Sequence, residues 1–326
     1  MPAFEPDLTV VVPVFEEEES LPELARQIQA ACEAEGFSFE VLFIDDGSQD
    51  GSWQVIQGLH AADTRFCGLR FRRNYGKSAA LDAGFEQAQG RYVLTMDADL
   101  QDDPAEIPAL VAMLEEGCDL VSGWKKKRHD PLRKTIPSRF FNLITRIVSG
   151  IKLHDFNCGL KAYRREVVKS IHVYGEMHRY IPLLAKWEGY ERIGEKVVHH
   201  RARQYGRTKF GLERYIRGFL DLISVAFLTR FAARPLHFFG MLGTLAFLGG
   251  IAISLWLSID KLFFGNPIGD RPLLLFGALL ILLGAQLFST GLLGDMIIRR
   301  RMEEGRVYQI SEIIEPAEAG DRYSAH

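Results

Sequence analysis

Several features that would settle a chain's class at once are missing from this one. Its four cysteines, Cys32, Cys67, Cys118 and Cys158, are scattered with no paired spacing. They imply neither a zinc site nor a disulfide framework, and a reducing cytosol is the default. No Gly-x-Gly-x-x-Gly or Gly-x-x-x-x-Gly-Lys-Ser/Thr follows any apolar run, so the nicotinamide and P-loop classes lack their phosphate cradles. The first apolar stretch, Leu8 to Val14, is short and has neither a basic flank nor a cleavage site, which argues against a signal peptide. Net charge is only -3, and no nucleic-acid partner is expected.

The small net charge hides a local asymmetry. Lys125, Lys126, Lys127, Arg128, Arg133, Lys134 and Arg139 are opposed only by Asp130, and a second basic run holds Arg201, Arg203, Arg207, Lys209, Arg214 and Arg217. Such runs are either solvated faces or places where anionic ligands and lipid headgroups are met. Charge is missing altogether from Phe238 to Ile259 and from Leu273 to Leu293, each long enough to cross a bilayer. Arg230 and Arg234 precede the first stretch and Arg299, Arg300 and Arg301 follow the second, while the connection between them carries only Lys261 and Arg271. The positive-inside rule then places both termini in the cytoplasm, as in a multi-pass protein of the inner (plasma) membrane.

Before these spans, apolar runs alternate with helical patterns. Leu8–Phe15 and Glu40–Ile44 read as buried strands, Cys67–Phe71 as a third and Tyr92–Met96 as a fourth. Between them lie a helix opened by the capping box Ser20-x-x-Glu23, a helix around Trp53–His60, and a helix over Ser78–Ala88 closed by Gly90. The alternation predicts a parallel sheet with helices on both faces and a ligand crevice beyond the carboxyl ends of the strands. Three strands run into polar material, at Phe15–Glu17, Asp45–Ser48 and Asp97–Gln101. If the chain stays extended past Met96, Asp97, Asp99 and Gln101 project to one side, as three oxygen ligands for Mg²⁺ or Mn²⁺. The competing reading of a lone Asp-x-Asp is a solvated turn.

The ordered set Val11-Val-Pro-Val-Phe-Glu-Glu-Glu-Glu-Ser, Phe43-Ile-Asp-Asp-Gly-Ser, Arg73-Asn-Tyr-Gly-Lys, Met96-Asp-Ala-Asp-Leu-Gln-Asp, His154-Asp-Phe-Asn-Cys-Gly-Leu-Lys and Gly175-Glu-Met-His-Arg-Tyr-Ile-Pro resembles the family 2 glycosyltransferases, in the polyprenyl-phosphate branch that includes dolichol-phosphate mannose synthase. One departure is Phe15-Glu16, where the family usually has Tyr-Asn; Phe15 can still stack on a base but lacks the hydroxyl.

The resemblance implies an α/β glycosyltransferase-A fold with a mostly parallel, Rossmann-like sheet, followed here by the two-helix hairpin. It puts Pro13, Phe15, Glu17, Asp45, Lys77 and Asp97 on the nucleotide, Asp97, Asp99 and Gln101 on the metal, and a catalytic carboxylate at Asp155. Asp45 and Glu17 also have ordinary readings, as a helix cap and as a first-turn acid. Two anions must meet in such a reaction, and Lys125, Arg128, Arg139, Arg203 and Lys209 are the candidates for the acceptor phosphate. Of these, Lys125 and Arg139 fall where the family has phosphate-contacting basic residues. Ser138–Ser149 and Phe210–Phe231 carry apolar stripes flanked by arginines; they either lie in the membrane interface or pack in the core. His178 and Arg179 are candidates for the acceptor side that the sequence does not place.

The expected organisation is a cytosolic catalytic domain over 1–209, amphipathic juxtamembrane helices over 210–235, two transmembrane helices over 236–296 and a cytosolic tail over 297–326. Val307–Ile314 is expected to return as a strand or helix, and Pro316–His326 to be disordered. The expected activity is inverting transfer of a hexose, glucose or mannose, from UDP-glucose or GDP-mannose to a polyprenyl phosphate at the cytosolic face; a homo-oligomer is left open. A processive polysaccharide synthase would need more membrane helices and a Gln-x-x-Arg-Trp motif. A catalytically silent nucleotide-sugar-binding partner of a flippase would not need Asp97, Asp99 and Asp155.

Overall fold

The apolar runs become the centre of one eight-stranded sheet. In the computed structural model, which describes residues 5–126, 142, 143, 145–147, 149–175, 177–201, 235–265, 267, 272–301 and 310–314, these strands are β1 (Leu8–Val14), β2 (Phe39–Asp45), β3 (Phe66–Phe71), β4 (Tyr92–Thr95), β5 (Leu120–Trp124), β6 (Lys161–Arg164), β7 (Ile193–Val197) and β8 (Ile310–Ile314). Their order is β7-β5-β6-β4-β1-β2-β3-β8. β4, β1, β2 and β3 run parallel, as do β5 and β7; β6 is antiparallel to both β4 and β5, and β8 is antiparallel to β3. The sheet is therefore mostly parallel but mixed. β6, only Lys-Ala-Tyr-Arg, carries no apolar run that would announce it.

Helices α1 (Leu21–Ala34), α2 (Ser52–Ala62), α3 (Lys77–Gln87), α4 (Ile107–Glu115), α5 (Arg165–Ser170) and α6 (Ile181–Trp187) fill the connections. Leu21, Leu24, Ala25, Ile28 and Cys32 form the buried stripe of α1. They share a core with Val10, Val12 and Val14 of β1, Phe43 of β2 and Leu110 of α4. Each Leu or Ile so buried contributes about 1.5–3 kcal/mol.

Two expected helix signals act differently. The capping box does not close: the Ser20 hydroxyl donates to the Glu17 carbonyl at 3.0 Å, and Glu23 is drawn to Arg26 and Gln27. Gly90 does not cap a helix either, because α3 ends at Gln87. It is glycine for clearance, since a Cβ there would sit 2.5 Å from the amide nitrogen of Thr9.

The described residues fall into two compact units, Met1–Leu222 with Val307–His326, and Ile223–Arg306. In the second, α7 (Pro235–Phe264) and α8 (Pro272–Arg301) pack as a hairpin. Gly250 lets the backbones meet, for a Cβ on it would lie 2.6 Å from the Gly277 carbonyl oxygen. Phe238–Phe264 and Pro272–Gly294 are long and apolar enough to cross a membrane, with mean hydropathy 1.9 and 2.1. Leu245, Leu255 and Trp256 on α7 and Leu275 and Leu282 on α8 are exposed, a surface suited to lipid rather than to water.

Candidate active site

Parallel pairing brings the carboxyl ends of β1, β2 and β4 to one edge, with Val14 opposite Asp45 and Val11 opposite Thr95. A cavity of ≈ 300 Å³ opens there, lined by Pro13, Val14, Phe15, Glu17, Asp46, Asn74, Gly76, Lys77, Ala80, Asp97, Ala98 and Asp99. Of the residues expected at the nucleotide and metal, Pro13, Phe15, Glu17, Lys77, Asp97 and Asp99 are on this wall, whereas Asp45 and Gln101 are not.

The first wall follows from a reversal after β1. Glu16 adopts φ 55°, a conformation that costs a non-glycine residue about 1–3 kcal/mol and needs support. Support comes from the amides of Glu16 and Glu17, which donate to the hydroxyls of Ser48 and Ser52, each at 3.0 Å. The turn leaves Phe15 39% exposed at the mouth of the cavity, available to stack on a base.

Asp45, at the end of β2, is fully buried. Its Oδ1 accepts the Ser48 amide at 2.9 Å and its Oδ2 lies 3.3 Å from Arg70 Nε. It is the next residue, Asp46, that faces the cavity, because successive side chains leave a strand on opposite sides. Asp46 accepts the amides of Tyr75 at 2.6 Å and Gly76 at 2.9 Å. Burial pushes its carboxyl up, and these two donors oppose the rise. Gly47 then turns at φ 73° with the backbone of Arg73 2.5 Å from where a Cβ would be. No side chain fits at that crossing.

The carboxylates after β4 are arranged by a turn and not by strand alternation. β4 ends at Thr95, and Leu100 takes φ 60°, which lets Ala98 and Leu100 reach the core at 4% and 2% exposure. That correction leaves Asp97 and Asp99 on the cavity wall by a different route. Gln101 instead donates its backbone amide to Asp99 Oδ1 at 3.2 Å.

Asp97 is ion-paired with Lys77. Burial would raise its carboxyl, but the ammonium groups of Lys77, Lys125 and Lys161 outweigh that and hold it at about 2. It is ionised at neutral pH. Lys125 does not line the cavity; its ammonium lies 2.7 Å from Asp102 Oδ1, with side chains 12% and 0% exposed. Burial opposes the Lys125 charge, yet Asp102 and Asp97 keep its pKa raised. Arg128, Arg139, Arg203 and Lys209 lie outside the described residues, as do half of Ser138–Ser149 and all of Phe210–Phe231.

The 154–161 stretch packs against this centre. Thr95 Oγ1 donates to the Gly159 carbonyl at 2.8 Å, and a Cβ on Gly159 would come within 2.5 Å of Asp97 Oδ2. Asp155 is buried at 1% exposure and is not part of the cavity wall. Its Oδ1 accepts the Asn157 amide at 3.1 Å, and its own amide donates to Glu195 Oε1 at 3.1 Å. Nearby, His178 Nδ1 is 3.0 Å from Ser78 Oγ. Burial first, then Lys77 and Arg179, press its imidazole down to about 3, so it is neutral.

Among the described residues no group of three or more His, Cys, Asp or Glu side chains forms a metal cluster. Asp97, which is ionised, and Asp99 share this cavity wall, and such a pair suits a hard cation whose remaining ligands come from a diphosphate. Sequence reading missed Asp46, Asn74 and Glu195. Asp46 had a signal in strand alternation; Glu195 had none, being brought to Asp155 only by the pairing of β7 with β5.

The family described as Glycosyl transferase family 2 matches residues 9–171. This chain belongs to that family. The match runs from β1 through α5 and contains every described side chain on the cavity wall. The family-2 chain is 42% identical over 301 residues to the dodecaprenyl-phosphate galacturonate synthase of Rhizobium johnstonii, covering 90% of this chain and 88% of that one. It is 37% identical over 303 residues to the undecaprenyl-phosphate 4-deoxy-4-formamido-L-arabinose transferase of Salmonella paratyphi A, covering 92% and 89%. Both are polyprenyl-phosphate sugar transferases, in keeping with the resemblance read from the motifs. Among solved structures it is similar to glucosyl-3-phosphoglycerate synthase from Mycobacterium tuberculosis in complex with Mn²⁺ and UDP-glucose. There the TM-score is 0.53 at 21% identity, covering 69% of this chain and 79% of that one. At that identity the likeness is one of fold, and the fold is of the glycosyltransferase-A kind.

Proposed function

We propose that the chain transfers a sugar from a nucleotide diphosphate to a polyprenyl phosphate, working at the cytosolic face of the inner membrane. The observation that carries this is the meeting of Asp97, Asp99, Lys77 and the 154–161 stretch at one strand edge, in a chain with two helices of membrane-spanning length. Phe15 and Asp46 would hold the base and ribose, one by stacking and the other by accepting hydrogen bonds. Lys77, the first residue of α3, would leave Asp97 for the diphosphate, where the helix N-terminus adds its own favourable field. Asp97 and Asp99 would hold Mg²⁺ or Mn²⁺, which when bound offsets the charge of the departing diphosphate. Gln101, through its backbone amide, keeps Asp99 in place.

Asp155 would orient the acceptor. A phosphate monoester has a second pKa of about 6 and needs little help from a base at neutral pH, so positioning is the larger part. Attack from the face opposite the leaving group gives inversion. Arg128, Arg139, Arg203 and Lys209 remain the basic residues offered to the acceptor phosphate.

The donor differs from the glucose or mannose expected from the motifs. The relatives' names carry galacturonate and 4-deoxy-4-formamido-L-arabinose, and UDP-galacturonate is the donor we propose. The test is incubation of the membrane-embedded chain with undecaprenyl phosphate and labelled UDP-galacturonate, UDP-glucose or GDP-mannose, with Mg²⁺, Mn²⁺ or a chelator. Label should enter the lipid phase from UDP-galacturonate, with inverted anomeric configuration, and stop with the chelator. Label from glucose or mannose alone would refute the donor, and no lipid product from any of these donors or from UDP-4-deoxy-4-formamido-L-arabinose would refute the transfer.

A further inference from the structure

The loop that bears Asp155 is held by a carboxylate on another strand. Glu195, on β7 opposite Ser122 of β5, accepts three hydrogen bonds. They come from the His154 amide at 2.5 Å, His154 Nδ1 at 2.6 Å and the Asp155 amide at 3.1 Å. Its side chain is only 12% exposed, so the negative charge is compensated by these donors and not by water alone. β5 grips the same loop as well. The Ser122 hydroxyl donates to the Asp155 carbonyl at 3.4 Å, and the Trp124 ring stacks on His154 with centroids 4.1 Å apart at 13°. Asn142 Oδ1 accepts the Phe156 amide at 3.3 Å. Further along the same loop, Gly159 abuts Asp97. A rotation of the loop would thus move the Asp155 carboxylate relative to the metal-side carboxylates.

We propose that Glu195 is a positioning residue for Asp155, its carboxylate setting the orientation of the 154–155 peptide and hence the reach of the Asp155 side chain toward the acceptor. This rests on the reading of Asp155 given above. Glu195 is not on the cavity wall and its hydrogen bonds go to the 154–155 loop, so its removal should change turnover and leave donor affinity alone.

The test compares Glu195→Ala, Glu195→Gln, Asp155→Asn and the Glu195→Ala/Asp155→Asn double variant in the full-length protein. Turnover is read with UDP-galacturonate and undecaprenyl phosphate, and affinity by titration with UDP and Mn²⁺. Misplacement of a reacting group by about 1 Å costs about 100-fold. Glu195→Ala should therefore lower kcat by about that factor with the UDP dissociation constant unchanged. The double variant should be no slower than Asp155→Asn, because both act through one group. A merely structural Glu195 would slow the Asp155→Asn enzyme further or weaken UDP binding in step with kcat, and either result overturns the proposal. If Glu195→Ala does not fold, Glu195→Gln decides. Its amide oxygen still accepts from the backbone, but the charge is gone and its NH₂ meets His154 Nδ1 only if that ring takes the tautomer in which Nδ1 accepts. A clear loss of turnover with UDP affinity intact supports the proposal, and wild-type turnover overturns it. Full activity in Asp155→Asn would instead sink the reading of Asp155, and Glu195 with it; an inactive Asp155→Asn beside a fully active Glu195→Ala would sink the Glu195 proposal alone.

Discussion

Gly159 shows how one absent side chain can serve chemistry more than stability. The atoms its Cβ would meet are Asp97 Oδ2, Cγ and Oδ1, at 2.5–2.8 Å. All belong to a side chain that can swing aside into the cavity. Gly159→Ala should therefore leave the melting temperature nearly unchanged, since the fold loses little when a partly exposed carboxylate turns. The same turn takes Asp97 away from Lys77 and from any bound cation. Transfer should fall by about 10²-fold or more, as expected when a preorganised charge is displaced. Paired thermal melts and transfer assays check this; a large drop in melting temperature with activity per folded molecule intact would refute it. Gly47 is the opposite case, because its Cβ would strike the backbone of Arg73, which cannot swing. At this scale much of the site was legible. Phe15, Glu17, Asp97 and Asp99 stand directly after apolar strands, and parallel strands deliver their carboxyl ends to one edge whatever the loops do.

At the scale of elements, β8 has the clearest consequence. Residues 310–314 pair antiparallel along β3, with Leu69 opposite Ile313 and Arg70 opposite Glu312, and cover an edge that would otherwise expose unpaired amides. Arg70 is also the partner of buried Asp45. Ending the chain after Arg301 should therefore speed hydrogen exchange at the β3 amides by about tenfold or more and promote association through that edge. Mass-spectrometric exchange and light scattering would read this; unchanged protection of β3 would show that β8 contributes nothing to the sheet's edge. The sequence offered Val307–Ile314 as strand or helix without a partner, because so short a run cannot specify a mate that lies on the far side of both apolar helices. β6 was harder still. It is charged at both ends, and only its place between β4 and β5 makes it a strand.

For the whole molecule, the sheet itself constrains topology. β3 lies before both apolar helices and β8 after them, yet the two are hydrogen-bonded. If α7 and α8 each cross the bilayer, the segments on either side of the hairpin must be on the same face. In the proposed orientation that face is the cytosolic one, the side on which the arginines flanking the spans would lie. Cysteines placed at Glu5 and in the tail after Arg301 should both resist membrane-impermeant thiol reagents in intact cells and react after permeabilisation. A cysteine at Asn266, in the connection between the spans, should react in intact cells. Labelling of either end in intact cells would overturn the topology. What the sequence by itself determined was local in range: the strand runs, the carboxylates at their ends and two uncharged stretches of bilayer length. Each depends on periodicity or composition within a few residues. Only the tertiary structure decided that Lys77 pairs with Asp97 while Lys125 is engaged by Asp102, and that Glu195 grips the Asp155 loop. Those outcomes turn on strand order, register and loop packing, which bring together residues far apart in the chain and leave no trace in any short window of sequence.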